Sequence, residues 1–240
     1  MSSEPNRLAP AGSAYRVTMV AMDDVANRGA KEKLASEIAA RLKDGDVVGA
    51  GSGSTSLLTI QAIGERMKRE RLRCIAIPTS VEAELACIDA GIPVTTLLAA
   101  RPDWSFDGAD EVDPGKNLIK GRGGAMFKEK MLIYSSPRPY ILVDQSKLVK
   151  KLGERFPIPV EVHPLALRVA ETALTKIGAT QVLLRPAGGK DGPVITENGN
   201  LILDVRFAEI GPETERQIKS IPGVIESGLF WGLGVDILVV

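Results

Sequence analysis

The sequence predicts an α/β fold: a doubly wound, mostly parallel sheet with a second, smaller α+β domain. Three observations carry that prediction. Helix-like and strand-like segments alternate from residue 24 to residue 98 at the spacing of βα units. Near Phe156 the texture changes: FPIPVEVHP is punctuated by prolines, and a helix followed by several short strands comes after it. The last stretch, residues 229–240, is strand-like again and suits a return to the first sheet. The resulting division is a mobile tail at 1–22, a first domain of 23–155 plus 230–240, and a small α+β domain at 156–229.

The opening MSSEPNRLAPAGSAYR is polar and rich in small residues, without the basic start and apolar core of a secretory signal. Residues 24–42 predict a helix, because Ala30, Leu34, Ile38 and Leu42 recur four apart on one face. Residues 46–49 read as a short buried strand, followed by the loop GAGSGSTS and an amphipathic helix over 56–70. A strand over 73–77 ends at Pro78. Thr79 with Glu82 forms a capping box for a helix through Ala90, and Gly91 sits where a helix-ending glycine belongs. Residues 92–98 read as another strand, and Trp104–Phe106 as a strand end. In the second domain a helix over 165–177 precedes strands at 181–185, 194–196 and 201–205.

The chain of 240 residues is 44% hydrophobic and 25% charged, ordinary for a globular protein. Thirty basic residues balance thirty acidic ones, so no net field draws it to nucleic acid or to an anionic membrane. No apolar run reaches spanning length. Two cysteines, Cys74 and Cys87, make no disulfide framework and fit a reducing, cytoplasmic compartment. His163 is the only histidine, which leaves little material for a histidine metal site or a nucleophile–histidine pair.

Two segments carry chemistry. Gly49 to Thr55 joins a strand to a helix, where glycines expose backbone N–H groups and Ser52, Ser54 and Thr55 add hydroxyls. This reads either as a phosphate cradle or as a tight βα turn. It lacks a Walker lysine, and no acidic residue ends the next strand to hold a ribose. The second segment runs from Asp107 to Lys130. It places Asp107 and Asp110 at a strand end, Lys120 after an apolar pair, and Glu129 on a helix behind a glycine-rich turn. Taken singly these are ordinary surface residues, and a magnesium site is another use for the acids. Their gathering at one sheet edge suits shifting a carbonyl between C1 and C2 of a sugar. A carboxylate removes the proton beside the carbonyl, an ammonium and backbone amides stabilise the enediolate, and an aspartate opens the cyclic sugar. No metal or redox cofactor is needed.

The ordered motifs GAGSGSTS, PTSVEAE, DGADEVDP, IKGRGGAMFKEKM, VDQSKLVKKLG, FPIPVEVHPLA, TENGNLILDV and IPGVIESGLF together resemble the ribose-5-phosphate isomerase type A family. The resemblance spans residue 31 to the C-terminus. It implies a Rossmann-like catalytic domain, no cofactor, a small sugar-phosphate substrate and a homodimer or homotetramer. It implies Glu129 as general base, with Lys120, Asp107 and Asp110 as the other catalytic residues. Substrate binding is implied for Lys31, Ser52, Gly53, Ser54, Thr55, Gly108, Ala109, Gly121, Arg122, Gly123 and Lys147. Arg122 interrupts the glycine turn where some members carry glycine. His163 is expected to fill a structural place. Two other classes are weighed against this one: an isomerising amino-sugar-phosphate deaminase, which would want a histidine near the site, and a sugar-phosphate sensor, which would not need Lys120 and Glu129 together.

Overall fold

The structure, a computed structural model, describes residues 27–240. The predicted tail and the first residues of the predicted helix at 24–42 lie outside the described residues.

The first half builds a parallel sheet from α1 (Arg28–Ala39), β1 (Asp46–Ala50), α2 (Ser54–Glu70), β2 (Cys74–Pro78), α3 (Val81–Ala90) and β3 (Trp104–Asp107). Two short strands follow, β4 (Glu111–Val112) and β5 (Leu118–Ile119), then α4 (Met126–Ser135) and β6 (Pro139–Val143). The second half holds β7 (Ile158–Val162), α5 (Leu167–Lys176), β8 (Ala179–Leu184), β9 (Leu201–Phe207), α6 (Pro212–Lys219), β10 (Val224–Ser227), β11 (Leu229–Phe230) and β12 (Asp236–Val239).

These strands form three sheets. The first is parallel throughout, in the order β12-β6-β3-β1-β2. The second is antiparallel, β10-β7-β9-β8, and the third is a small antiparallel sheet, β11-β5-β4. Leu34 and Ile38 of α1, Ile60 and Ile63 of α2, and Ala83 and Cys87 of α3 bury against one face of the parallel sheet. Leu132 of α4 covers the other face, so close to Gly49 that a Cβ there would lie 2.8 Å from it. Helices on both faces fit the largely apolar make-up of β1 after Asp46 and of β6.

Three sequence expectations need correcting. Residues 92–98 form no strand; only Val94 makes an isolated bridge, to Ala76. Residues 194–196 likewise contribute only one isolated bridge, Ile195 to Leu201. Ser80, not Thr79, caps α3, accepting from the Ala83 N–H at 3.1 Å. Thr79 is unavailable because its hydroxyl bonds that of Ser52 at 2.8 Å. Gly91 ends α3 in the left-handed region at φ 80°.

Strand order decides where a ligand can sit. From β1 the chain steps to β2 on one side and then to β3 on the other. The loops leaving the carboxyl ends of β1 and β3 therefore diverge and open a crevice between them. Among the described residues no helix is long and apolar enough to cross a membrane.

Candidate active site

The crevice is a cleft of about 570 Å³, within the usual range for a small-molecule site. Its floor is a buried charge cluster. Asp107 ends β3, Lys120 follows β5, and Glu129 lies in the first turn of α4. Lys120 Nζ stands 3.0 Å from Asp107 Oδ2 and 3.2 Å from Glu129 Oε1, and donates to the Gly108 carbonyl at 2.5 Å. All three side chains are under one-tenth exposed.

The local sequence makes this convergence possible. Lys120 is pinned through its backbone, its N–H donating to Gly228 O at 2.9 Å beside β11. Asp107 Oδ1 accepts from the N–H groups of Gly108 at 2.8 Å and Ser52 at 3.2 Å. Gly51 is required for that approach, since a Cβ there would lie 2.3 Å from Asp107 Oδ1. Asp110 Oδ2 accepts from the Arg122 N–H at 3.1 Å, tying the acidic loop to the glycine turn. Glu129 Oε2 is buried with no hydrogen-bond partner, so one oxygen of the carboxylate is unengaged.

Two carboxylates share one ammonium here. Burial pushes the Glu129 carboxyl up to about 8, against the pull of Lys120 and with help from the Asp107 charge. Burial likewise raises Asp107, which Lys120 and the two backbone donors only partly offset. For Lys120 burial acts to lower the pKa, but the Asp107 and Glu129 charges outweigh it and hold the ammonium above its ordinary range. The site thus keeps a permanent cation beside a carboxyl that can release its proton near neutral pH.

The opposite rim is built for an anion. The loop after β1 ends at the start of α2, which no side chain caps, leaving its first N–H groups and the positive end of the helix dipole facing the cleft. Ser52 Oγ meets both Thr79 Oγ1 and Ser80 Oγ at 2.8 Å, locking this loop to the one after β2. Lys31 Nζ donates to Ser54 Oγ at 3.1 Å. Burial acts to raise the Asp144 carboxyl, yet bonds from Ser146 and the charges of Lys31 and Lys147 hold it below the ordinary range. Arg122 and Lys147 both face the Phe156 ring, 5.6 and 5.7 Å from its centroid.

The structure therefore brings every sequence-derived site residue to one cleft. Lys31, Ser52, Gly53, Ser54 and Thr55 line one side; Asp107, Gly108, Ala109, Asp110, Lys120 and Glu129 line the floor; Gly121, Arg122, Gly123 and Lys147 complete the wall.

The sequence profile of ribose 5-phosphate isomerase A (phosphoriboisomerase A) matches residues 75–240. The Methanocaldococcus jannaschii ribose-5-phosphate isomerase A is 47% identical over 209 residues, covering 86% of this chain and 92% of that protein. This chain belongs to the ribose 5-phosphate isomerase A family. The solved structure of the M. jannaschii ribose 5-phosphate isomerase A superposes with a TM-score of 0.85 at 46% identity, covering 89% of this chain and 95% of that one. A D-ribose-5-phosphate isomerase solved in complex with phospho-erythronic acid superposes at 0.84 with 40% identity, covering 88% and 94%.

Other residues of this family member line the cleft without having been assigned to the site from sequence. Ser80, Glu82, Gly124, Asp144, Thr196 and Glu197 are among them. Glu197 bridges two helices over the cleft, accepting from Val81 N at 2.8 Å and pairing with Lys128 Nζ at 2.8 Å. The motifs PTSVEAE and TENGN flagged these stretches, but not which side chains turn inward. His163 lies outside the cleft, where its Nδ1 accepts from the Leu165 N–H at 3.3 Å and caps a short 3-10 turn.

Proposed function

We propose that this protein interconverts D-ribose 5-phosphate and D-ribulose 5-phosphate through an enediolate, in the non-oxidative pentose phosphate pathway. One observation carries the reading: a buried ammonium is bonded to two carboxylates at the floor of a cleft whose far rim presents hydroxyls, uncapped helix amides and lysines.

The phosphate binds Ser52, Gly53, Ser54 and Thr55, with Lys31 and Lys147 supplying positive charge. Asp107 and Asp110 move a proton from the C1 hydroxyl to the ring oxygen and so open the furanose. Gly108 and Ala109 line the sugar, and Gly121, Arg122 and Gly123 border C1 and C2. Glu129 takes the C2 proton, and Lys120 stabilises the negative charge that develops on oxygen. Glu129 then returns the proton to C1 while the proton of the C2 hydroxyl passes to the C1 oxygen, which leaves C2 as the carbonyl and C1 as a hydroxyl, the ketose. The raised Glu129 carboxyl and its unengaged oxygen support the base assignment.

The same reading includes a cytoplasmic, self-associating protein, as a homodimer or homotetramer. It also includes a catalytic unit of 23–155 plus 230–240 and a smaller unit of 156–229, supported by β7–β10 forming their own sheet.

The test is to incubate purified protein and chelator with ribose 5-phosphate in deuterated water. Ribulose 5-phosphate should accumulate and deuterium should enter the sugar at the reacting carbons. No ketose and no exchange would sink the proposal.

A further inference from the structure

The glycine turn beside Lys120 is held from outside the cleft. Gly124 N–H donates to Gly121 O at 3.0 Å, closing a four-residue turn over 121–124. The central peptide of such a turn joins Arg122 C=O to Gly123 N–H. Flipping that peptide converts a type I turn to type II, and a glycine at the third position removes the steric barrier between them. Gly123 is that glycine. Its φ lies outside the left-handed region in this structure, and a Cβ on it would meet nothing within 4 Å.

Arg185 makes the choice. Its Nη1 donates to Arg122 O at 2.8 Å and to Gly121 O at 3.2 Å. The remaining fork is occupied by Asp204 of β9, with Nε 2.9 Å from Oδ2 and Nη2 on Oδ1. The backbone of Arg185 is fixed on both sides, its N–H donating to Ile202 O and its carbonyl accepting from Val194 N–H, each at 2.9 Å. Guanidinium and carboxylate are mostly buried, 15% and 20% exposed. A rigid cation from the antiparallel sheet therefore grips two carbonyls of the turn. A trans peptide sends its C=O and N–H in opposite directions. Holding Gly121 O sends the Arg122 N–H to Asp110. Holding Arg122 O sends the Gly123 N–H the other way, and that group donates to no described residue although Gly123 lines the cleft.

We propose that Arg185 is a positioning residue: oriented by Asp204, it locks the central peptide of the 121–124 turn so that the Gly123 N–H is offered to the sugar oxygen that gains charge beside Lys120. The inference rests on the isomerase reading. It makes the antiparallel sheet a working part of the site.

Arg185→Ala, Arg185→Lys and Asp204→Asn test it. The readouts are kcat and KM for ribose 5-phosphate, with affinities for phospho-erythronic acid, whose carboxylate mimics the enediolate oxygens, and for inorganic phosphate. Misaiming one transition-state donor should lower kcat of Arg185→Ala by about tenfold or more. Phospho-erythronic acid should weaken by a similar factor, while inorganic phosphate stays within about twofold. Arg185→Lys keeps the charge but cannot hold Asp204 and two carbonyls at once, so it should regain only part of the loss. Asp204→Asn should fall between wild type and Arg185→Ala. If Arg185→Ala does not fold, the lysine and asparagine variants decide by the same split. Unchanged kcat and analogue affinity would overturn the proposal, as would analogue and phosphate weakening together. Wild-type protein that binds both ligands but turns over no sugar would instead overturn the isomerase reading, with the binding split still testing Arg185.

Discussion

Replacing Glu129 by glutamine should abolish turnover and, at alkaline pH, make the protein more stable. In the wild type, burial holds the folded-state carboxyl up to about 8, against 4.5 for a free glutamate. A carboxyl with a raised folded pKa contributes most stability below its unfolded pKa, and that contribution is lost as pH rises towards the folded pKa. Between pH 5 and pH 9 the wild type should therefore lose about 3–4 kcal/mol through this one group. Glutamine at 129 does not ionise and escapes that loss. It still offers an oxygen to Lys120, and Asp107 still pairs the ammonium at 3.0 Å. Its amide N–H groups take the place of Glu129 Oε2, which has no partner, and an unsatisfied buried donor costs about 1–3 kcal/mol. The variant should consequently be slightly less stable than wild type at pH 5 and more stable at pH 9. The swing is measured by urea unfolding at both pH values, on samples that also show no ketose formation. A swing below about 1 kcal/mol would refute the picture of a buried carboxyl held protonated by its surroundings.

Three further outcomes follow from the same geometry. The value of kcat/KM should rise with pH as Glu129 loses its proton, levelling off above about 8, while Lys120 stays protonated throughout; a profile that is flat or falling from pH 6 to 9 in initial-rate assays would contradict the base assignment. Gly51→Ala should lose most activity and about 1–3 kcal/mol of stability, because the added methyl would meet Asp107 Oδ1 at 2.3 Å; near-normal rates with an unshifted melting curve would count against it. Lys130→Met should cost about 1–3 kcal/mol in chemical denaturation, since it removes one of the two ammonium partners of buried Glu226, 2.9 Å from Lys130 Nζ, and the partner of Glu215 at 2.6 Å, while Lys219 still pairs Glu226 at 2.9 Å; an unshifted unfolding curve would count against it.

Local chemistry determined much of this protein in advance. The four-residue spacing of Leu34 and Ile38 marked the buried face of α1, and Leu42, just past the helix end, continues it; all three side chains are under one-tenth exposed. Glycines and hydroxyls after β1 and the acids after β3 announced their chemistry by type, because βα alternation alone sends such loops to one edge of a sheet; the lysine after β5 was legible by type only, since β5 belongs to the small antiparallel sheet. Strand pattern failed at residues 92–98, where Val94 makes a single bridge before the chain turns. There apolar composition was present but no second partner strand was.

Only tertiary structure decided which charges meet. Arg185 pairs with Asp204 19 positions away, and Lys130 with Glu226 96 positions away. Glu111 accepts from the N–H groups of Gly153, Arg155 and Phe156 at 2.6–2.7 Å, setting the loop whose aromatic ring faces Arg122 and Lys147. None of these pairings leaves a periodic trace, since a charged residue looks the same in sequence whether solvated or buried. The raised carboxyl of Glu129 is of this kind. Its residue type was legible, but the desolvation and the shared lysine that give it a useful pKa exist only once three separate segments have packed together.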